Sequence, residues 1–138
     1  MNPGDVIDGR FVLESMLGRG GMGTVWRARQ VPLGRTVALK LLREEYSSLP
    51  HLRRRFAREA RAAARLNHEH ICSVFDFGAE ASGRMFLAME YVQGRQLIEA
   101  VHLGMSTRQV VLLACQLLEA LAHAHARGVV HRDLKPEN

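Results

Sequence analysis

Leu17-Gly18-Arg19-Gly20-Gly21-Met22-Gly23-Thr24-Val25-Trp26 is the stretch on which the fold turns. Its Gly-x-Gly-x-x-Gly spacing, at Gly18, Gly20 and Gly23, occurs in two unrelated settings. In one, the glycines open a helix whose N-terminus holds a pyrophosphate. In the other, they turn one strand into the next. The residues after Gly23 decide between them, because Thr24, Val25 and Trp26 are β-branched or aromatic and favour extended chain. Residues 11–17, upstream, also read as a strand. Strand, glycine turn, strand is a hairpin, and its glycines let backbone N–H groups approach a phosphate chain closely. In isolation an ordinary glycine-rich turn reads the same way, so the flanking sequence carries the decision.

Downstream, Pro32 and Gly34 mark a turn, and residues 36–42 read as a third strand. Alternate strand residues share a face, so Ala38 and Lys40 point one way while Val37 and Leu39 point the other. A lysine in an apolar strand needs a partner. Glu59, in the middle of a helix expected over residues 51–66, is the natural one; Glu44 and Glu45 are alternatives that adjoin the strand end and read as solvent-facing. Residues 71–77 and 85–92 read as two more strands, with Gly83 in the turn between them. Then the character changes to helix. A short one is expected over residues 96–101, and Ser106 caps a long one over residues 107–127 that Gly128 ends. Gln109, Gln116, Glu119, His123 and Arg127 share one narrow face of it, which predicts that most of this helix is buried. The expected fold class is α+β, with a five-stranded N-terminal half carrying one helix and then the start of a helical half.

The 138 residues suit one domain, and 47% hydrophobic with 24% charged residues is a globular balance rather than a disordered one. The net charge of +5 is concentrated in part on one predicted helix, at Arg53, Arg54, Arg55, Arg58, Arg61 and Arg65. Interleaved with Phe56, Ala60, Ala63 and Leu66, these read as a solvated face, and no nucleic-acid partner is expected. Cys72 and Cys115 lack metal or redox spacing and are expected as buried small hydrophobes in a reducing compartment. No basic run precedes an apolar core at the N-terminus, and Asn2 excludes a myristoylation signal. The longest apolar stretch, residues 110–126, is broken by Gln116, Glu119, His123 and His125. The expectation is a cytoplasmic segment with no membrane contact of its own.

The most specific string is His131-Arg132-Asp133-Leu134-Lys135-Pro136-Glu137-Asn138. Together with the glycine hairpin, Val37-Ala38-Leu39-Lys40, the helix glutamate Glu59 and Met89-Glu90-Tyr91-Val92, in that order, it resembles the protein kinases. Lys135 followed by Pro-Glu-Asn resembles the serine/threonine branch, and a bacterial-like member of it. The resemblance implies ATP and Mg²⁺ as cofactors and protein substrates with serine or threonine hydroxyls. It implies a loop of Gly18, Arg19, Gly20, Gly21, Met22 and Gly23 over the phosphates, and an apolar roof of Leu17, Val25 and Ala38 over the adenine. It makes Met89, Glu90 and Val92 the gatekeeper and hinge, and Lys40 with Glu59 the phosphate-positioning pair. By the same resemblance Asp133 orients the substrate hydroxyl and accepts its proton. Lys135 neutralises γ-phosphate charge, Asn138 binds Mg²⁺, Arg132 contacts a phosphorylated activation segment, and His131 is structural.

Residues 1–92 would then be the small lobe and hinge, and residues 93–138 the start of a large lobe whose remainder lies beyond Asn138. Kinases resembling this chain in bacteria often continue into a linker and a membrane anchor. The rival expectation is a non-catalytic, nucleotide-binding or pseudokinase-like interaction module, which gains force if the natural chain ends at Asn138. Asp76-Phe77-Gly78 spells the family's magnesium motif but precedes the catalytic loop, so it reads as strand and turn. His68 with His70, and His123 with His125, lack a third ligand at metal spacing and read as surface or core histidines. Glu69 stands where the family usually has proline, and the segment over residues 95–106 is short for the family.

Overall fold

The computed structural model describes residues 1–137. A two-residue strand, β1 (Val6–Ile7), turns through Asp8 (φ 50°) and Gly9 (φ 65°) into β2 (Phe11–Arg19). The glycine turn leads to β3 (Gly23–Gln30), and a single 3-10 turn at Val31–Leu33, closed by left-handed Gly34, leads to β4 (Arg35–Leu42). There follow α1 (Glu44–Ser47), α2 (Pro50–Ala63), β5 (Val74–Ala79), β6 (Met85–Glu90), α3 (Leu97–His102) and α4 (Thr107–His125). All strands pair antiparallel, in the order β1-β2-β3-β4-β6-β5.

The sheet therefore has six strands where five were expected. The extra one is β1, paired through Val6 with Val12 and Ile7 with Phe11. Two residues are too few to show an alternating pattern. What makes β1 a strand is long-range packing, since Ile7 joins the main core at 2% exposure.

The sheet curls strongly. β2 and β6 are separated by two strands, about 14 Å in a flat sheet, yet the Phe11 and Phe86 rings lie 5.5 Å apart. Within the curl, Phe11, Leu13, Trp26, Ala28, Val37, Leu39, Phe86 and Ala88 form one buried cluster. The opposite face carries α2, whose Phe56 packs with Leu42 and Met85 and stands 5.9 Å from the Phe77 ring. Arg10 fastens the curl, pairing Asp8 next to it and Asp76 of β5 at 2.6 Å.

At the start of α4 the Ser106 hydroxyl accepts from the Gln109 N–H, and the Gln109 side chain accepts from the Ser106 N–H. Gly128 (φ 70°) ends it, its N–H donating to the His125 carbonyl. The expectation that α4 is mostly buried does not hold. Only Ala120 and Ala124 are buried, while Val110, Val111, Leu112 and Leu118 are each at least 50% exposed. The 68–70 loop touches α4 through His123 and Glu119, and the Val129 N–H donates to the Ala124 carbonyl, while most of the helix's other side chains are exposed. Both cysteines are exposed, contrary to expectation, because Cys72 lies in a loop and Cys115 on the uncovered part of α4. Among the described residues no helix is long and apolar enough to cross a membrane.

Candidate functional site

The glycine hairpin has the expected form. Gly18 faces Val25 and Arg19 faces Thr24 across β2 and β3, and the Gly20 N–H donates to the Gly23 carbonyl at 2.9 Å. Its glycines do different jobs. A Cβ added at Gly18, Gly20 or Gly21 would meet nothing within 4 Å, so these three line open space. A Cβ at Gly23 would lie 2.0 Å from the Leu41 carbonyl oxygen, so Gly23 is required by the close approach of β3 to β4. Met22, at the turn, packs against the cluster of Leu42, Phe56 and Met85, and its carbonyl accepts from the Arg43 N–H at 3.1 Å. Leu17 is exposed, and Val25 is half-buried opposite Lys40.

On β4, Val37 and Leu39 are fully buried, whereas Ala38 and Lys40 lie on the other face as expected. The expected ion pair between Lys40 and Glu59 is not formed. Glu59 instead accepts from Arg55 at 3.0 Å, one helical turn earlier, and both are exposed. Partners four residues apart on a helix are always within reach, whereas a strand and a helix meet only when the whole helix is placed correctly. Lys40 has no carboxylate within ion-pair distance among the described residues; its ammonium stands 5.9 Å from the Phe56 ring. Glu44 pairs with Arg84 at 3.0 Å and Glu45 with Arg43 at 3.5 Å. Arg55 is the residue that sequence reasoning missed, although its spacing to Glu59 was a readable signal.

The segment expected as the hinge leaves the sheet at Glu90, so Tyr91 and Val92 are not part of β6, and Val92 is 64% exposed. Glu90 is tied to the loop before β5. Its N–H donates to the Ser73 carbonyl at 2.8 Å, its carboxylate accepts from the Ser73 N–H, and its carbonyl accepts from the Cys72 thiol at 3.1 Å. Partial burial of the sulfur, then the Glu90 charge, raises the Cys72 pKa above its ordinary value. Met89 pairs with Ala38 in register, so the residues expected as gatekeeper and roof lie on adjacent strands.

Beyond α4, Arg132 has a positive φ of 65°, a sparsely populated conformation for a side-chain-bearing residue. The Asp133 N–H donates to Nδ1 of His131 at 3.4 Å, and the Lys135 ammonium lies 3.4 Å from the Asp133 carboxylate. The Pro136 carbonyl accepts from the Ile98 N–H at 2.9 Å, which docks this loop on α3. Asn138, expected as a metal ligand, lies outside the described residues. A cleft of about 880 Å³ separates α2 from this loop, lined by Arg55, Arg58, Glu59, Ala62 and residues 128–133. Glu59 and Asp133, 74 positions apart in sequence, thus share one cavity. Asp76-Phe77-Gly78 lies wholly within β5, where the end of a strand and a turn were expected. Asp76 pairs with Arg10, and a Cβ at Gly78 would lie 2.8 Å from the Phe86 ring.

Comparison with known proteins bears on this arrangement directly. Residues 11–138 match the family model described as the protein kinase domain. The serine/threonine-protein kinase pkn3 of Myxococcus xanthus is 46% identical over 137 residues, covering 98% of this chain and 25% of that protein. The serine/threonine-protein kinase PrkC of Bacillus subtilis is 38% identical over 137 residues, covering 98% of this chain and 21% of that protein. Among solved structures, the kinase domain of Mycobacterium tuberculosis PknI matches with a TM-score of 0.81 at 33% identity, over 100% of this chain and 56% of that one. The chain spans 25% or less of the length of these curated relatives.

Proposed function

The chain belongs to the protein kinase family, on its serine/threonine side, and from that premise we propose that the protein it forms part of transfers the γ-phosphate of ATP to serine or threonine hydroxyls of other proteins. The observation that carries this reading is the shared cleft, where Glu59 of α2 and Asp133 of the catalytic loop line one cavity. Open space at Gly18, Gly20 and Gly21 and the uncommitted ammonium of Lys40 fit a polyphosphate chain. In this reading residues 1–92 are a small lobe with its hinge, and residues 93–138 begin a large lobe.

Phosphoryl transfer asks the protein for alignment and for placed charge. The glycine turn would present backbone N–H groups to the phosphates with Lys40 beside them. The Glu90 carbonyl and the Val92 N–H would hydrogen-bond the adenine, between Leu17, Val25 and Ala38. Asp133 would hold the substrate hydroxyl and accept its proton, while Lys135 offsets charge near the transferred group. Magnesium, when bound, would shield phosphate charge, and Asn138 is the residue of this chain that the resemblance offers to it.

The test is Asp133→Asn in the full-length protein. Phosphotransfer is expected to fall by about 10²-fold or more, with ATP binding retained; normal turnover would sink the assignment. A second reading, a nucleotide-binding module without catalysis, draws on the engagement of Glu59 by Arg55 rather than Lys40. It predicts that the unmutated full-length protein binds nucleotide but transfers no phosphate.

A further inference from the structure

Next to the cleft, and sharing Arg58 with it, α2 carries a second concavity. It measures about 580 Å³ and is lined by Pro50, Arg53, Arg54, Ala57, Arg58, Arg61 and Met85. At 3.6 residues per turn, Arg54, Ala57 and Arg61 fall within about 60° of one another around the helix, and Glu59 lies roughly 160° away. Phe56 and Ala60, the buried residues of α2, occupy a third side. One helix thus packs on one side, faces the cleft on a second and offers an arginine groove on a third.

The charge in this groove is uncompensated. Arg10, Arg27, Arg29, Arg43, Arg55 and Arg84 each have a carboxylate partner. Arg53, Arg54, Arg58 and Arg61 have none among the described residues, where the one side-chain hydrogen bond of the four runs from Arg54 to the Pro50 carbonyl at 3.3 Å. Four neighbouring guanidinium groups repel one another, and binding a polyanion relieves that repulsion. Between the arginines the floor is apolar, formed by Pro50, Ala57 and Met85.

We infer that this groove is a docking site for an acidic peptide whose carboxylates engage Arg54 and Arg61 while an apolar side chain between them rests on Ala57 and Met85. Arg54 and Arg61 are seven residues apart, about 10 Å along the helix, which an extended peptide covers in about three residues. Nucleic acid fits less well, because no aromatic side chain lines the groove for a base to stack on and Phe56 is buried. A lipid surface fits less well too, since the apolar residues form the floor instead of protruding. The inference stands apart from catalysis, because none of its anchors lies at the nucleotide or hydroxyl site.

The test uses the full-length protein and a fluorescein-labelled peptide containing Glu-Glu-Leu-Glu-Glu, with binding read by fluorescence anisotropy. Saturable binding is expected, weakened about tenfold or more by the Arg54→Glu/Arg61→Glu double variant and similarly by serine in place of the peptide leucine. The Arg95→Glu/Arg108→Glu double variant changes net charge equally at exposed sites elsewhere and is expected to bind normally. Arg54→Gln/Arg61→Gln supplies the same comparison should charge reversal unfold the helix, with folding checked by circular dichroism. Equal weakening by both pairs of sites would reduce the effect to bulk charge and overturn the inference. So would absence of binding, or tighter binding of a single-stranded oligonucleotide or of anionic phospholipid vesicles that depends on Arg54 and Arg61.

Discussion

Single residues in this chain divide into those placed by packing and those left open to a ligand, and the glycine turn contains both kinds. A Cβ at Gly23 would clash with the Leu41 carbonyl oxygen at 2.0 Å, while Gly21 has no neighbour within 4 Å of where a Cβ would stand. Gly23→Ala is therefore expected to cost about 2 kcal/mol or more, because backbone must shift to admit the methyl group. Gly21→Ala is expected to stay within about 0.5 kcal/mol. Urea denaturation of the two variants checks the contrast, and equal midpoints would refute it. The family resemblance gave both glycines the same job over the phosphates, because a sequence pattern does not record which strand lies beneath. The Arg55–Glu59 pair makes a similar point. As an exposed i,i+4 contact it contributes only about 0.3–0.5 kcal/mol, small enough for α2 to exchange it for Lys40 at little cost.

Among the elements, α4 is the one whose setting depends most on histidine. His123 stands 5.0 Å, ring to ring, from His68, and its buried Nε2 has no hydrogen-bond partner among the described residues. His68 accepts from the His70 N–H, His70 lies 3.6 Å from Glu119 of α4 and 4.0 Å from Glu69, and Arg127 follows one turn later. Burial, then Arg127 and His68, lowers the His123 pKa. A lowered folded value means that the unfolded chain takes up the proton more readily. Stability from this contact is then complete above the ordinary histidine range, near pH 6.5, and is lost as pH falls through it. The melting temperature of the full-length protein should decline between about pH 7.5 and 5.5, with a flatter slope in His123→Phe; equal slopes would exclude the mechanism. Strands with β-branched runs and the capped start of α4 were legible beforehand. β1 and α1 were not, because two and four residues carry no periodicity and depend on what they pack against.

For the whole molecule, the uncovered side of α4 is the dominant fact. Val110, Val111, Leu112, Leu117 and Leu118 are exposed within this chain, a run of apolar side chains on one helix of the kind that marks a contact surface. Prepared as a separate 138-residue polypeptide, the chain should bind an apolar dye, self-associate in sedimentation, and transfer no phosphate. The full-length protein should do neither of the first two, and a dye-silent monomeric fragment would contradict this. The amino-acid sequence by itself carried the resemblance to the family, the order of the longer strands and helices, and the opposite faces taken by Ala38 with Lys40 and by Val37 with Leu39. Those follow from spacing and alternation, which are local. Tertiary structure alone decided that the sheet has a sixth strand, that it curls until Phe11 meets Phe86, and that α4 lies largely bare. It also decided that Glu59 turns to Arg55 instead of Lys40. Each depends on how distant segments meet, and contacts between distant segments leave no period in the chain to read.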